Sequence, residues 1–514
     1  VLTRYIFAPF AKSVDQRQRR KQNRGIVVAA VLSSLALVSS VACNDDPTAG
    51  QSSESDPDIE PDGTSSSETT SQSSDTSLAT SSGTTSSDGT SSGDTEIKVV
   101  AISAAQSTSC AFLSNNRAKC WGGNRYGQLG RGSTSSVGAQ PGQMGSALPY
   151  LDLPPDISPQ SILAGTSVCI TDETARPFCW GLNDFGQLGR GNTDNYGDDP
   201  SELLSKLRNV PLHPGLEVAE VEIGLRHGCA VFAPNAEGVG LKCWGLNYDG
   251  QLGQGNTNNI GSAPNQMGEF LAPVDLGKDR HPVRVAVGLD HTCVATNDEK
   301  VLCWGKNANG QLGIGSTKSI GSKPEDMGNN LVPVKLGDQP IAALATGSNH
   351  TCSLDVVGKV RCWGQNDLGQ LGRGDKLDFG GNSNEAATDI PPISLPAKVS
   401  DLSCGTTHCC SLLEDHRVVC WGSNALGELG VGTKAAVGDD PNEMGTKMVA
   451  VELGSNRTPI AVHAGSSHNC VLTSASEVLC WGYNGNGQLG SGNSETVGDG
   501  PDELGSRLLP VPIL

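Results

Sequence analysis

The sequence predicts an all-β protein, a seven-bladed β-propeller of four-stranded antiparallel blades over residues 97–514, preceded by an export segment and a disordered tether. Three observations carry that reading. The seven tryptophans, Trp121, Trp180, Trp244, Trp304, Trp363, Trp421 and Trp481, each open the phrase W-G-x-N-x-x-G-[QE]-L-G, with Glu428 the one departure from glutamine. They recur at intervals of 59, 64, 60, 59, 58 and 60 residues, and such a period makes the repeat, not the residue, the unit to interpret. Between copies lie four short β-type runs broken by Gly, Pro, Asn and Asp, with nothing helical of useful length, the pattern of propeller blades.

Residues 1–43 read as an export signal. Arg17, Arg19, Arg20, Lys21 and Arg24 precede the 17-residue apolar run IVVAAVLSSLALVSSVA, which ends at Cys43. A basic region, a short apolar core and small residues at its end mark a segment for translocation, and 17 residues is the lower limit for a retained membrane helix. Val1 in place of methionine, with no Met before Met144, is what a bacterial gene started on a valine codon would show. SSVAC resembles the lipobox of bacterial lipoproteins, whose cysteine takes the lipid and becomes the mature N-terminus. The departure is Ser40, where that pattern has an aliphatic residue. Ser40 and Ala42 also suit ordinary signal peptidase cleavage, so a lipid anchor at Cys43 and soluble secretion are both open.

Residues 44–96 form the tether. They hold twelve acidic residues, no Lys, no Arg and no aromatic, so they bury too little apolar surface to offset their ordering entropy. Mutual repulsion extends them. A low-complexity spacer after a lipidation site is expected to hold a domain off a membrane. Of the net charge of −19, residues 1–43 contribute +6 and the tether −12, which leaves −13 on 97–514. Nucleic-acid binding rests on Lys and Arg neutralising phosphates, and this charge excludes it as an expectation.

The repeats span about 97–154, 160–213, 217–277, 282–337, 341–396, 398–454 and 460–514. Each has an upstream run such as IAALATGSNH, two strands around a turn such as CSLDVVGKVRCWG, and a downstream run such as LVPVKL, MVAVEL or LLPVPI. Each tryptophan supplies the apolar area with which a blade packs on its neighbour. The pattern H-x-C…C-W-G-x-N-x-x-G-Q-L-G resembles the repeat of the regulator of chromosome condensation family, whose members form seven-bladed β-propellers. The resemblance covers about 97–514 and implies a closed ring whose first and last strands meet.

Fourteen of the 17 cysteines fall into pairs: Cys110 with Cys120, Cys169 with Cys179, Cys229 with Cys243, Cys293 with Cys303, Cys352 with Cys362, Cys410 with Cys420, and Cys470 with Cys480. Six pairs are ten apart, and the third is lengthened by the insertion around APNAEGVG. In a hairpin that spacing sets the two cysteines opposite each other around a three-residue loop, about 4.5 Å apart at Cα and within reach of a disulfide. Structural zinc takes closer ligand pairs, so disulfides and an oxidising compartment are the expectation, with reduced packing cysteines the alternative. Cys404 and Cys409 remain and could pair with each other.

Histidine stands two residues before the first cysteine in five repeats (His227, His291, His350, His408 and His468), with Thr108 and Ser167 in the other two. One per blade with two missing is a poor ligand set, and a hydrogen-bonding role at the strand entry is expected. The loops NTDNYGDDP and TKAAVGDDP suggest calcium at Asp198, Asp199, Asp439 and Asp440, but STKSIGSKP and NTNNIGSAP hold the same place without carboxylates. No metal and no cofactor are expected.

No nucleophile elbow, phosphate loop or singular Ser/His/Asp set is present, so no catalytic residue is assigned. The family resemblance implies three kinds of function. Nucleotide exchange on a nuclear GTPase conflicts with export. Ultraviolet sensing through a GWRHT-like motif conflicts with GLRHG at 224–228, where Leu225 stands for the tryptophan. Protein binding by secreted bacterial propellers, including those that inhibit β-lactamases, fits best. The expectation is a monomeric, non-enzymatic binding scaffold, surface-tethered or secreted, holding an extracellular protein through blade loops. Cell-wall or glycan binding is the alternative and a secreted hydrolase a third. The loop residues that depart from the repeat are the candidates: Arg125, Tyr126, Phe185, Tyr196, Tyr248, and Asp378 and Phe379 in the stretch 376–389.

Overall fold

The computed structural model describes residues 96–385 and 388–514. The export segment, Cys43 and all but the last residue of the tether lie outside the described residues.

Among the described residues seven antiparallel sheets follow one another along the chain. They comprise β1–β3 (Val99–Ala105, Thr108–Leu113, Ala118–Gly122), β4–β6 (Ser161–Leu163, Ser167–Thr171, Pro177–Gly181) and β7–β9 (Val218–Ile223, His227–Phe232, Leu241–Gly245). Next come β10–β13 (Pro282–Val287, His291–Thr296, Val301–Gly305, Pro333–Val334) and β14–β16 (Ile341–Thr346, His350–Asp355, Val360–Gly364). The last two are β17–β19 (Val399–Cys404, His408–Leu413, Val418–Gly422) and β20–β22 (Pro459–Ala464, His468–Thr473, Val478–Gly482). The first strands of neighbouring sheets stand side by side, as where Ala164 N donates to Ser103 Oγ and Ala464 N to Ser403 Oγ. The last sheet returns to the first, with β20 and β21 against β1.

Four strands per blade were expected, and among the described residues only the β10–β13 sheet has four. Elsewhere the outer run makes a single backbone bond to the third strand, as from Leu151 N to Ala118 O, Val274 N to Leu241 O and Val511 N to Val478 O. Prolines such as Pro273, Pro510 and Pro512 lack the N–H that would extend the ladder. The run MVAVEL has no proline and keeps the same single bond, so proline is not the sole cause.

The hairpins explain the cysteine spacing. Cys352 pairs with Cys362 directly across β15 and β16, and the register repeats in every sheet. The loop residue six after the first cysteine takes positive φ: Gly358 at 85°, but also Asn116, Ala175, Glu299, His416 and Ser476. Those side chains sit in the left-handed region that favours glycine.

Candidate functional site

The recurring phrase is a joint between sheets. Each tryptophan is fully buried, and its Nε1–H donates to the backbone carbonyl of the Gln or Glu in the preceding sheet's phrase, from Trp180 to Gln128 through Trp481 to Glu428, at 2.8–3.1 Å. Trp121 closes the ring on Gln488 at 3.0 Å. Asn366 is representative of the bend: its Oδ1 accepts from Leu371 N at 2.9 Å and its Nδ2 donates to Asp375 O at 2.7 Å. Gln370 Oε1 accepts from Leu368 N, leaving the residues between Asn and Gly directed outward and free to vary.

The histidines join the same interfaces. Nε2 of His227, His291, His408 and His468 meets Thr292, Thr351, Asn469 and Ser109 of the next sheet at 2.8–3.0 Å. Burial pushes His227, His291, His350 and His468 down to about 3, so all four are neutral.

Each hairpin carries its own disulfide. Cys110 is joined to Cys120, Cys169 to Cys179, Cys229 to Cys243 and Cys293 to Cys303. Cys352 is joined to Cys362, Cys410 to Cys420 and Cys470 to Cys480, and Cys404 is joined to Cys409. Their Cα separations are 4.0–4.2 Å. These cysteines are all buried, so the third-strand members Cys120, Cys179, Cys243, Cys303, Cys362, Cys420 and Cys480 brace the sheets from within and form no part of a ligand-facing surface.

In the acidic loops the side chain five after the glycine caps the turn, as where Glu443 accepts from Gly438 N and Gln143 from Gly138 N. Asp439 pairs with Lys376 at 3.0 Å, and Asp199 accepts from Ser201, so an ion pair and a turn hydrogen bond account for these two of the four carboxylates.

Of the candidate binding residues, two prove structural. Tyr196 is buried, with Arg190 over its ring at 4.0 Å and its hydroxyl donating to Leu203 O. Phe379 is partly buried in the core beneath Arg373. Both occupy the place that Val137, Ile260, Ile320, Val437 and Val497 fill elsewhere, bridged to the glycine after the tryptophan. Asp378 accepts from Asn366 N and from Asn309 Nδ2 of the preceding sheet.

The others are outward-facing. Arg125 is exposed and lies 5.5 Å from the Tyr126 ring. Phe185 and Tyr248, on the bends of adjacent sheets, meet edge-on with centroids 6.2 Å apart, and Tyr248 is 66% exposed. At the same end of these sheets stands an ion triad, with Arg226 3.4 Å and Lys306 3.7 Å from the carboxylate of Asp290. Leu246 N bonds to Arg226 O and Lys306 N to Asp290 O, so the strand-entry turns and the bends share one end of their sheets. Burial, then the neighbouring Asp290, pushes Asp249 above the usual carboxylate range. The surface therefore combines a half-buried Phe185 and an exposed Tyr248 with charges of both signs, which suits recognition of an amphipathic surface. Arg226, Asp290 and Lys306 were not foreseen. The signal was present: the entry turns read Leu225-Arg226 and Leu289-Asp290 here, against Gln106-Ser107, Gly165-Thr166, Ser348-Asn349, Thr406-Thr407 and Ser466-Ser467 elsewhere.

The RCC1-like domain profile matches residues 159–508, and the regulator of chromosome condensation (RCC1) repeat profile matches residues 99–128. The chain belongs to the RCC1-like domain family. It is 30% identical over 406 residues to the ultraviolet-B receptor UVR8 of Arabidopsis thaliana, covering 77% of this chain and 80% of the receptor. To the mitochondrial RCC1 domain-containing protein RUG3 of the same plant it is 28% identical over 380 residues, covering 70% and 75%. The structure of yeast RCC1 (Prp20), determined with Kap60, superposes with a TM-score of 0.55 at 20% identity, covering 80% and 85%, a likeness of fold. In this RCC1-like chain the seven indoles are fully buried, and Leu225 is the second residue of GLRHG at 224–228.

Proposed function

We propose that this RCC1-like protein is an exported, monomeric, non-catalytic binding module that holds a protein partner on the surface around Phe185 and Tyr248. The aromatic pair, with Tyr248 exposed and Phe185 half-buried against it, carries the reading. It stands at repeat positions the joints leave free, and such rings contribute disproportionately to interface energy. The neighbouring Arg226, Asp290 and Lys306 would supply a polar rim. Relatives bearing the same fold supply precedent for protein partners, since yeast Prp20 was crystallised with Kap60 and another study concerns its binding to Gsp1p and histones.

Export is supported by the basic and apolar N-terminal segment and by the paired cysteines, which suit an oxidising compartment. Cys43 would then carry the lipid and the acidic tether would hold the ring off the membrane. Mass spectrometry of the mature N-terminus tests this: a diacylated Cys43 supports the anchor, and a chain starting later overturns it.

Affinity capture from extracellular extract, comparing the parent with the F185A/Y248A variant, tests the surface. A protein held by the parent and lost from the variant, which keeps its unfolding midpoint, supports the reading. Retention on purified cell wall, with no protein captured, would sink it in favour of a glycan ligand.

A further inference from the structure

The interface between the fifth and sixth sheets differs from the other six. Where neighbouring sheets present Thr292, Thr351, Asn469 or Ser109 to the preceding histidine, the sixth presents Cys409, 3.2 Å from His350 Nε2. Its cross-strand partner is Cys404, where other sheets carry Ala104, Ile223, Val287, Thr346 or Ala464. Cys352 Sγ lies 3.8 Å from Cys409 Sγ. The four ligand atoms of His350, Cys352, Cys404 and Cys409 all fall within 4.8 Å of one another, and all four residues are buried.

We propose that in the reduced protein these four residues form a tetrahedral site for one thiophilic cation, zinc(II) being the expected occupant. Zinc–sulfur bonds of about 2.3 Å at tetrahedral corners put neighbouring sulfurs about 3.8 Å apart. Cys352 and Cys409 already stand at that separation, and His350 Nε2 is close to the corresponding nitrogen–sulfur edge. Three cysteines and one histidine are a composition that structural zinc sites use. The ring of His350 is held by the sheet framework shared with its four counterparts, so the nitrogen is in place before any metal arrives. Two sulfur atoms beyond the repeat's own pair, added in one sheet only and beside that nitrogen, are what the repeat framework does not require.

Opening the site needs a reductant of the dithiol class. One dithiol gives two electrons and two protons to the Cys404–Cys409 bond and a second does the same for Cys352–Cys362, each leaving as its own disulfide. The cation then displaces protons from Cys352, Cys404 and Cys409 to solvent, while Cys362 keeps its own. The oxidised protein has no thiolate there and binds none.

The test uses the whole protein, reduced under anaerobic conditions and titrated with cobalt(II) alone as the spectroscopic stand-in. One equivalent of cobalt per chain is expected, with thiolate-to-cobalt charge-transfer absorption and tetrahedral visible bands. C404A/C409T restores the residue types that other sheets carry and should abolish at least nine-tenths of that signal. C110S/C120S, which removes a pair in the first sheet, should retain it. Absence of cobalt from the reduced parent, whether or not it stays folded, overturns the proposal. So does equal binding by C404A/C409T or by the oxidised protein.

Discussion

The indole N–H of Trp121, in the first sheet, donates to the backbone carbonyl of Gln488, in the last, at 3.0 Å. That bond has the geometry of the six joints within the ring, as between Trp304 and Gln251 at 2.9 Å. Lys119 Nζ adds a bond to Ile513 O, and Gly492 N one to Gly138 O, across the same closure. The closing interface is therefore built like the others. Trp121→Phe should cost about 1 kcal/mol for the lost hydrogen bond and about as much again for the void. Trp304→Phe should cost the same, because Ser109 and Thr292 leave each carbonyl one remaining donor. Urea midpoints compare them, and a much smaller loss at Trp121 would mean that the closure is the weaker joint.

Glycine at the end of the phrase makes room for the next indole. A Cβ on Gly430 would stand 2.7 Å from Trp481 Nε1, at φ +61°, whereas Gly142, at φ +77°, has open space around it. Gly142→Ala should cost about 1–2 kcal/mol, from backbone strain alone. Gly430→Ala adds an overpacking penalty of about 1–3 kcal/mol. Thermal unfolding of the two variants separates backbone strain from crowding, and equal losses would refute the crowding account.

The left-handed loop residues are an opportunity for stabilisation. Glu299 is exposed and holds φ 62° where Gly358 holds 85°. Relief of about 1–2 kcal/mol of strain outweighs the extra unfolded-state entropy of glycine. Glu299→Gly should therefore gain about 0.5 kcal/mol, read as a higher unfolding midpoint. Gly358→Glu should lose more than that.

Acid should weaken the protein through its buried histidines. His227, His291, His350 and His468 are pushed down to about 3 when folded, so below about 6.5 the unfolded chain takes up protons that the folded one refuses. Their contribution to stability is therefore intact above pH 6.5 and falls as pH drops from there towards 3. Glu220 and Asp401, raised by burial to about 7 and about 6, work the other way and stabilise as pH falls through those values. Burial also lowers His408, and His463 to about 4, so six histidines stand against two carboxyls and a net loss is expected between about pH 6 and about pH 4. His291→Gln should flatten that slope by at most about 1.4 kcal/mol per pH unit. An unchanged slope would remove the histidine account.

Material exported through an oxidising compartment should show no reactive thiol within residues 97–514 after unfolding, and sixteen after reduction. Several thiols before reduction would place the protein in a reducing compartment and count against export.

Periodicity made the ring legible because the seven joints each need the same residues at the same spacing. Trp, Asn, Gly and Gln recur because a buried indole N–H, a bend and a carbonyl must meet in every copy. Tyr196 and Phe379 were misjudged because a large aromatic in a variable loop looks like a binding residue. Their position, sixteen after the tryptophan, is apolar in all seven repeats and could have been recognised as core. The fourth strand was over-read for a different reason: alternation identifies an extended run, but not whether its donors find partners.

By itself, the sequence determined the repeat, the hairpin register that sets each pair of cysteines face to face, and the positions left free to vary, since all of these depend on neighbours in the chain. Only the tertiary structure decided which residues meet across sheets. Phe185 with Tyr248, Arg226 with Asp290, and His350 with Cys409 lie between 59 and 64 residues apart, and the packing of each sheet on the next is what brings each pair into contact.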